Sequence, residues 1–215
     1  MDINGIISRV KRIFGDESGV QVIDDDILQW ISDAQREIVM HNEHVLQLTT
    51  TVNIVDGTDT YAFPTDLLVL RTVRIKMASM ETYAHIEAIS PGEFDRYISG
   101  RVVVGEGIPC VYTTYERKIF LYPTPDQNAT DGLQILYTQR PTDVTAITDT
   151  ISLPEEYHNA IVKYCLMKAN QMDEDYEISA IHGAEFAGDV KALSLFNAYN
   201  PSEVYPRITV LPEDA

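Results

Sequence analysis

The chain has 215 residues, 45% of them apolar, with no unbroken apolar run long enough to cross a bilayer and no charged leader ahead of an apolar stretch, so neither a membrane span nor a secretory signal is expected. Sixteen Lys and Arg against 33 Asp and Glu leave a formal charge of −17, the wrong sign for a surface that grips nucleic-acid phosphates. A chain of this length can withdraw roughly 70% of its unfolded surface from water, enough for one generous core or two lobes.

Ile3, Ile6, Ile7, Val10, Ile13 and Phe14 recur at three- and four-residue steps, which places them on one face of a helix that Gly15 stops. A second helix is expected after Asp24, Asp25 and Asp26, whose carboxylates can accept the orphan amide hydrogens of a helix start and suit its positive end. Ile27, Ile31, Ala34 and Ile38 form its buried stripe, widened by Leu28 and Trp30.

Beyond His44 the period changes to two, with Leu46, Leu48, Thr50, Val52 and Ile54 alternating with polar neighbours as in a half-buried strand. Asp56-Gly57 tolerates the positive φ of a tight turn and Tyr61-Ala62-Phe63 follow before Pro64, so this stretch reads as a β-hairpin. Another strand is expected from Val69 to Met77. Ser90, Pro91 and Glu93 mark a short helix: a hydroxyl cap, a proline at the first helical position and the glutamate of a capping box. From Val102 to Gln139 the strands Val111–Tyr115, Ile119–Tyr122 and Leu133–Gln139 read as a meander, turned at Glu116-Arg117 and looped from Pro123 to Gly132.

Pro141 to Leu153 is a Thr- and Asp-rich connection, and Pro154 opens a helix with Tyr157, Ile161, Tyr164, Cys165 and Met172 on one face. Asp173, Glu174 and Asp175 start a last helix reaching Tyr199. Its Ala180, Ala184 and Ala187, with Gly183 and Gly188 beside them, let a neighbouring helix come close, from the same chain or from another subunit, before Val190, Leu193 and Phe196 restore bulk. Residues 201–215 carry three prolines and read as an extended arm. Val204, Tyr205, Ile208, Val210 and Leu211 are too apolar for a solvated tail, and Arg207 offers planar donors that match a carboxylate, so these six are the candidate partner-binding residues.

No catalytic or metal-binding constellation emerges. His41 and His44 stand three apart beside Glu43 without a third ligand at metal spacing, and His85, His158 and His182 are isolated. Cys110 and Cys165, in apolar company, are expected to be small buried side chains and not a disulfide or a nucleophile. No serine occupies a G-x-S-x-G elbow, and Gly105-Glu106-Gly107 precedes Pro109 and a strand, not the helix a phosphate cradle needs. With 33 acidic residues, chance carboxylate pairs are inevitable and carry no glycosidase signal. The expectation is a protein without enzymatic activity, cofactor or metal.

Three phrases in order carry a family resemblance. Asp25-Asp26-Ile27-Leu28-Gln29-Trp30-Ile31-Ser32-Asp33-Ala34-Gln35-Arg36-Glu37-Ile38 combines an acidic start with a W-I-x-x-A core. Thr60-Tyr61-Ala62-Phe63-Pro64-Thr65-Asp66-Leu67-Leu68 is a strand ending in proline and then a D-L-L turn. Ile151-Ser152-Leu153-Pro154-Glu155-Glu156-Tyr157-His158 leads into the apolar helix through Leu166, and Glu185-Phe186 lies in the acidic helix after it. Together, across residues 20 to 195, these resemble the tailed-bacteriophage head-to-tail adaptor family, which includes the podoviral tail tubular A proteins and related connectors. The helix at residues 3 to 14 and the C-terminal arm fall outside the matching phrases.

The resemblance implies an α+β fold: a helical bundle lobe from residues 1–44 and 153–200, an inserted antiparallel β lobe of sandwich or barrel type from 45–152, and the extended arm from 201 on. It also implies a structural virion protein that forms a homo-oligomeric ring of twelve at the head-tail junction. The implied partners are the portal protein and a tail or nozzle protein. DNA then passes through unbound, which the acidic composition suits, since a wall of like charge repels its backbone. The competing readings are a tail or baseplate module whose Tyr-rich sheet binds host glycan and a cell-wall hydrolase.

Overall fold

The computed structural model describes residues 1–99 and 105–198. The protein is α+β and divides into two units: Met1–Val45 together with the chain from Thr142 onward, and Leu46–Pro141.

In the first unit α1 (Ile3–Phe14) and α2 (Asp24–His41) both pack on α4 (His158–Met172), and α5 (Tyr176–Ala198) packs on α4 as well. α1 starts on Asp2, whose carboxylate accepts the Gly5 amide at 2.9 Å, and ends on Gly15 at φ +90°, where only glycine is unstrained. Ile3, Ile6, Ile7 and Val10 are buried as expected, whereas Ile13 at the last turn is exposed. The acidic start of α2 behaves differently from its reading. Ile23, whose side chain has no acceptor, is the N-cap, so no side chain caps the helix, and the Asp24 carboxylate pairs with Lys11 of α1. The Asp24 to Asp26 charges still sit at the positive end of the helix. Ahead of α4, Pro154 precedes a turn of 3-10 helix at Glu155–Tyr157, and the Tyr157 hydroxyl accepts the buried Asn42 amide at 2.6 Å.

The connection from Thr142 to Ser152, grouped with the β lobe by sequence, runs against α2. Ser32 Oγ accepts the Val144 amide at 2.8 Å, and the Gln35 side chain accepts the Ser152 amide at 2.8 Å. Polar composition suggested a plain connection, but Ser32 and Gln35 are buried helix residues whose partners are the backbone of this segment.

The second unit holds two four-stranded sheets that share one core. They run β1-β8-β3-β4 and β2-β7-β6-β5. The strands are β1 (Gln47–Ile54), β2 (Thr60–Ala62), β3 (Leu67–Ile75), β4 (Ala84–His85), β5 (Glu87–Ala88), β6 (Val111–Tyr115), β7 (Lys118–Tyr122) and β8 (Ala129–Gln139), with α3 (Pro91–Ser99) between β5 and β6. Val73, Ile75, Leu133, Ile135 and Tyr137 from one sheet meet Tyr61, Tyr112, Ile119 and Leu121 from the other. All pairings are antiparallel except β5 with β6.

Two strand pairings differ from the sequence reading. β1 and β2 do not form a hairpin: β1 pairs with β8 and β2 with β7, so Asp56-Gly57 carries the chain from one sheet to the other. Gly57, at φ +71°, donates its amide to the Pro125 carbonyl at 2.9 Å, and Asp56 donates to the Asn128 side chain at 3.0 Å. The expected meander holds only for β6 and β7, turned by Glu116 and Arg117 at φ 48° and 59°, as a two-residue turn requires. β8 then leaves for the other sheet, and the expected start at Val102 lies outside the described residues. The capping box is as read: the Ser90 amide donates to Glu93 Oε2 at 3.1 Å and the Glu93 amide to Ser90 Oγ at 3.4 Å.

Candidate assembly surface

α5 lies on α4 through one face. Ser179 Oγ donates to the Met167 carbonyl at 3.1 Å, Lys163 pairs with Asp189 at 2.9 Å, and the Tyr164 and Phe186 rings meet edge-on with centroids 5.2 Å apart. Gly183 is the close-approach point, since a Cβ there would stand 3.2 Å from Met167 Sδ. Ser179, Phe186 and Val190 are buried. The small residues thus divide. Gly183 serves packing within the chain, while Ala180, Ala184, Ala187 and Gly188 are exposed, and Gly188 has open space where a side chain would be.

The opposite face of α5 is also apolar. Ile181 is 58% exposed and Leu195 51%, and with Ala184, Gly188 and Ala192 they form a stripe at three- and four-residue steps, 180° round the helix from the residues on α4. Ile178, 43% exposed, lies beside Ile181 at the N-terminal end, whereas Tyr176, 67% exposed, stands about 120° round the helix from the stripe. A helix apolar on both faces is normally buried on both. The sequence reading missed this second stripe because it followed the bulky residues Val190, Leu193 and Phe196. Its signal was Ile181, Gly188 and Leu195 at seven-residue spacing.

Between α2, α4 and α5 lies a groove of about 650 Å³, floored by Tyr164, Met167, Phe186 and Val190 and edged by Glu37, His41, Lys168 and Lys191. Lys168 lies over the Tyr164 ring, 5.4 Å from its centroid. The groove borders the outer stripe through Ala187 and Lys191. The six predicted partner-binding residues, Val204, Tyr205, Arg207, Ile208, Val210 and Leu211, lie outside the described residues.

The remaining candidates for chemistry are dispersed. Among the described residues no group of three or more His, Cys, Asp or Glu side chains is placed to hold a metal ion. His41 Nδ1 lies 2.9 Å from the Glu37 carbonyl and His158 Nε2 lies 3.2 Å from the Leu153 carbonyl, so both rings bond to backbone. Glu106 forms a single bridge with Thr124, and the Gly107 amide donates to the Thr124 carbonyl at 2.8 Å, so that amide is spent on backbone just after β7. Cys165 is fully buried and burial pushes its thiol up, whereas Cys110 is exposed, contrary to the expectation that both are interior. Cys110 immediately precedes β6, where its amide donates to the Tyr122 carbonyl while the residue stays exposed. Tyr61, Tyr112, Tyr122 and Tyr137 of the β unit are buried. Burial, together with the Asp66 carboxylate that accepts its hydroxyl at 3.0 Å, pushes the Tyr137 phenol up to about 12. These rings are core and supply no stacking platform for a sugar. No described helix is long and apolar enough to cross a membrane.

Compared with known families, residues 1–207 match the one described as SU10 adaptor protein. No curated protein matches the chain.

Proposed function

Because the chain belongs to the SU10 adaptor protein family, a family of structural phage proteins that join head to tail, we propose that its copies assemble side by side into a ring between portal and tail, with DNA passing through the centre. The observation that carries this reading is the outer face of α5. Ile181 and Leu195 flank the small residues Ala184 and Gly188, which admit a second helix at close range. An apolar stripe of this kind on a −17 chain is a surface awaiting a partner, and in a ring that partner is the next copy. The ring is proposed to hold twelve copies, to contact the portal on one side and a tail or nozzle protein on the other, and to present an acidic wall that keeps DNA sliding. The arm residues Val204, Tyr205, Arg207, Ile208, Val210 and Leu211 are proposed to take part in these contacts.

The test is to mix the purified full chain with its cognate portal protein and image the particles by negative-stain electron microscopy. A ring of adaptor density on one end of the portal is expected. Folded chain that leaves the portal bare would overturn the proposal.

A further inference from the structure

We infer that the groove between α2, α4 and α5 receives the segment 199–215 of a neighbouring copy. This rests on the ring reading and names one of its contacts. The first argument is chemical fit. The floor of Tyr164, Met167, Phe186 and Val190 suits the apolar Val204, Tyr205, Ile208, Val210 and Leu211 of that segment, and about 650 Å³ is the size of a cleft that swallows several side chains.

The second argument is charge. In a chain with 33 acidic and 16 basic residues, two lysines, Lys168 of α4 and Lys191 of α5, line this groove against the run of the composition. The segment supplies their complement in Glu203, Glu213 and Asp214, and the carboxylate of Glu37, which also lines the groove, suits its single cation, Arg207.

The third argument separates a neighbour's segment from the chain's own. Asn200, Tyr205 and Leu211 each precede a proline in the sequence, a context that disfavours helical backbone. If the segment continues past the end of α5 at Ala198 in extended form, it advances about 3.3 Å per residue away from that helix. The groove lies in the other direction, along Phe186 to Ser194. It also borders the outer stripe proposed to meet the next copy, so the arm of an adjacent subunit has a short path to it.

The experiment uses the full chain in a Cys110→Ser background, with Ala187→Cys in the groove wall and Thr209→Cys in the segment. Cys165 is buried and stays silent. Complexes with portal are oxidised and run on a non-reducing gel, and the same samples are imaged for rings. A ladder of covalently linked chains is expected from the double variant and from neither single variant. Adding Lys168→Glu and Lys191→Glu should lower the ladder yield about tenfold, and Glu213→Lys with Asp214→Lys in the same chain should restore it. A faster-migrating monomer without a ladder would show each segment in its own groove and overturn the inference. Rings on the portal with no cross-link would overturn it and leave the ring standing, while portals left bare by the wild-type chain would overturn both.

Discussion

Asp16 does for the loop after α1 what a capping residue does for a helix. Its buried carboxylate accepts the Val22 amide at 2.9 Å, the Gln21 amide at 2.7 Å, the Val20 amide at 3.1 Å and the Ser18 hydroxyl at 2.9 Å. The Val22 bond contributes most to holding the carboxyl well below its ordinary range; burial opposes it, and the other donors add to the lowering. A carboxyl depressed by folding contributes stability that is complete above its ordinary value of 3.8 and is lost as the pH falls toward the folded value. Asp16→Asn replaces one acceptor oxygen by an NH2 group that cannot take the Gln21 and Val22 amides. The variant is expected to melt lower than wild type at pH 7, with the gap narrowing below pH 3.8. A gap constant from pH 7 to pH 3 would show that the ionised carboxylate is not what holds the loop. The two thiols give a second expectation at this scale. Native chain should expose one thiol to Ellman's reagent, Cys110, and denatured chain two, because Cys165 is fully buried and its thiolate is disfavoured. Two rapidly reacting thiols in the native chain would place Cys165 near solvent.

At the scale of elements, two glycines should respond to alanine with opposite signs. A Cβ on Gly132 would lie 2.8 Å from Ala129 Cβ, 3.0 Å from the Ala129 carbonyl oxygen and 3.0 Å from Ile54 Cδ1, in the stretch where β8 pairs with β1. Gly132→Ala is expected to destabilise by about 1 to 3 kcal/mol, read from urea midpoints. Gly188 meets nothing within 4 Å and sits inside α5, so Gly188→Ala should stabilise by about 0.5 to 1 kcal/mol. Equal effects of the two would contradict the packing described. The same contrast explains which parts of the fold the sequence made legible. α1, α3 and the start of α4 are announced by signals that act within a few residues: Gly15, the Ser90-Pro91-Glu93 box and Pro154. Strand pairing is not local. Leu48 lies opposite Tyr137, and nothing near Leu48 names that partner. Asp56-Gly57 supplies positive φ to a hairpin and to a crossing between sheets alike, so its chemistry could not choose between them. The candidate assembly surface was legible in part. The small residues of α5 flagged close approach, but which of them faced α4 depended on Met167, Tyr164 and Lys163, a turn-and-helix away in sequence.

For the whole molecule, the question is what holds one −17 chain against another. Like charge opposes association at every distance within the ~8 Å screening length of physiological salt, so a side-by-side ring needs a contact whose gain is apolar. The outer face of α5 offers one. Removing a Leu or Ile side chain from water contributes about 1.5 to 3 kcal/mol, and Ile181 and Leu195 are the large side chains bracketing Ala184 and Gly188. Ile181→Glu with Leu195→Glu places two carboxylates in that contact without touching the face on α4, where Phe186 and Val190 remain buried. The variant is expected to keep its circular dichroism and melting temperature, because both side chains are solvent-exposed in the single chain, yet to need at least about a hundredfold more protein to form rings on portal particles. Salt offers an independent check. An apolar contact between acidic subunits strengthens as repulsion is screened, so wild-type ring formation should improve from 50 mM to 500 mM NaCl, an order-of-magnitude window chosen to cross the Debye regimes. Ring formation that weakens over that range would mean that charged contacts dominate between the copies, and rings that survive in the double-glutamate variant would mean that the outer face of α5 lies elsewhere than at the subunit boundary.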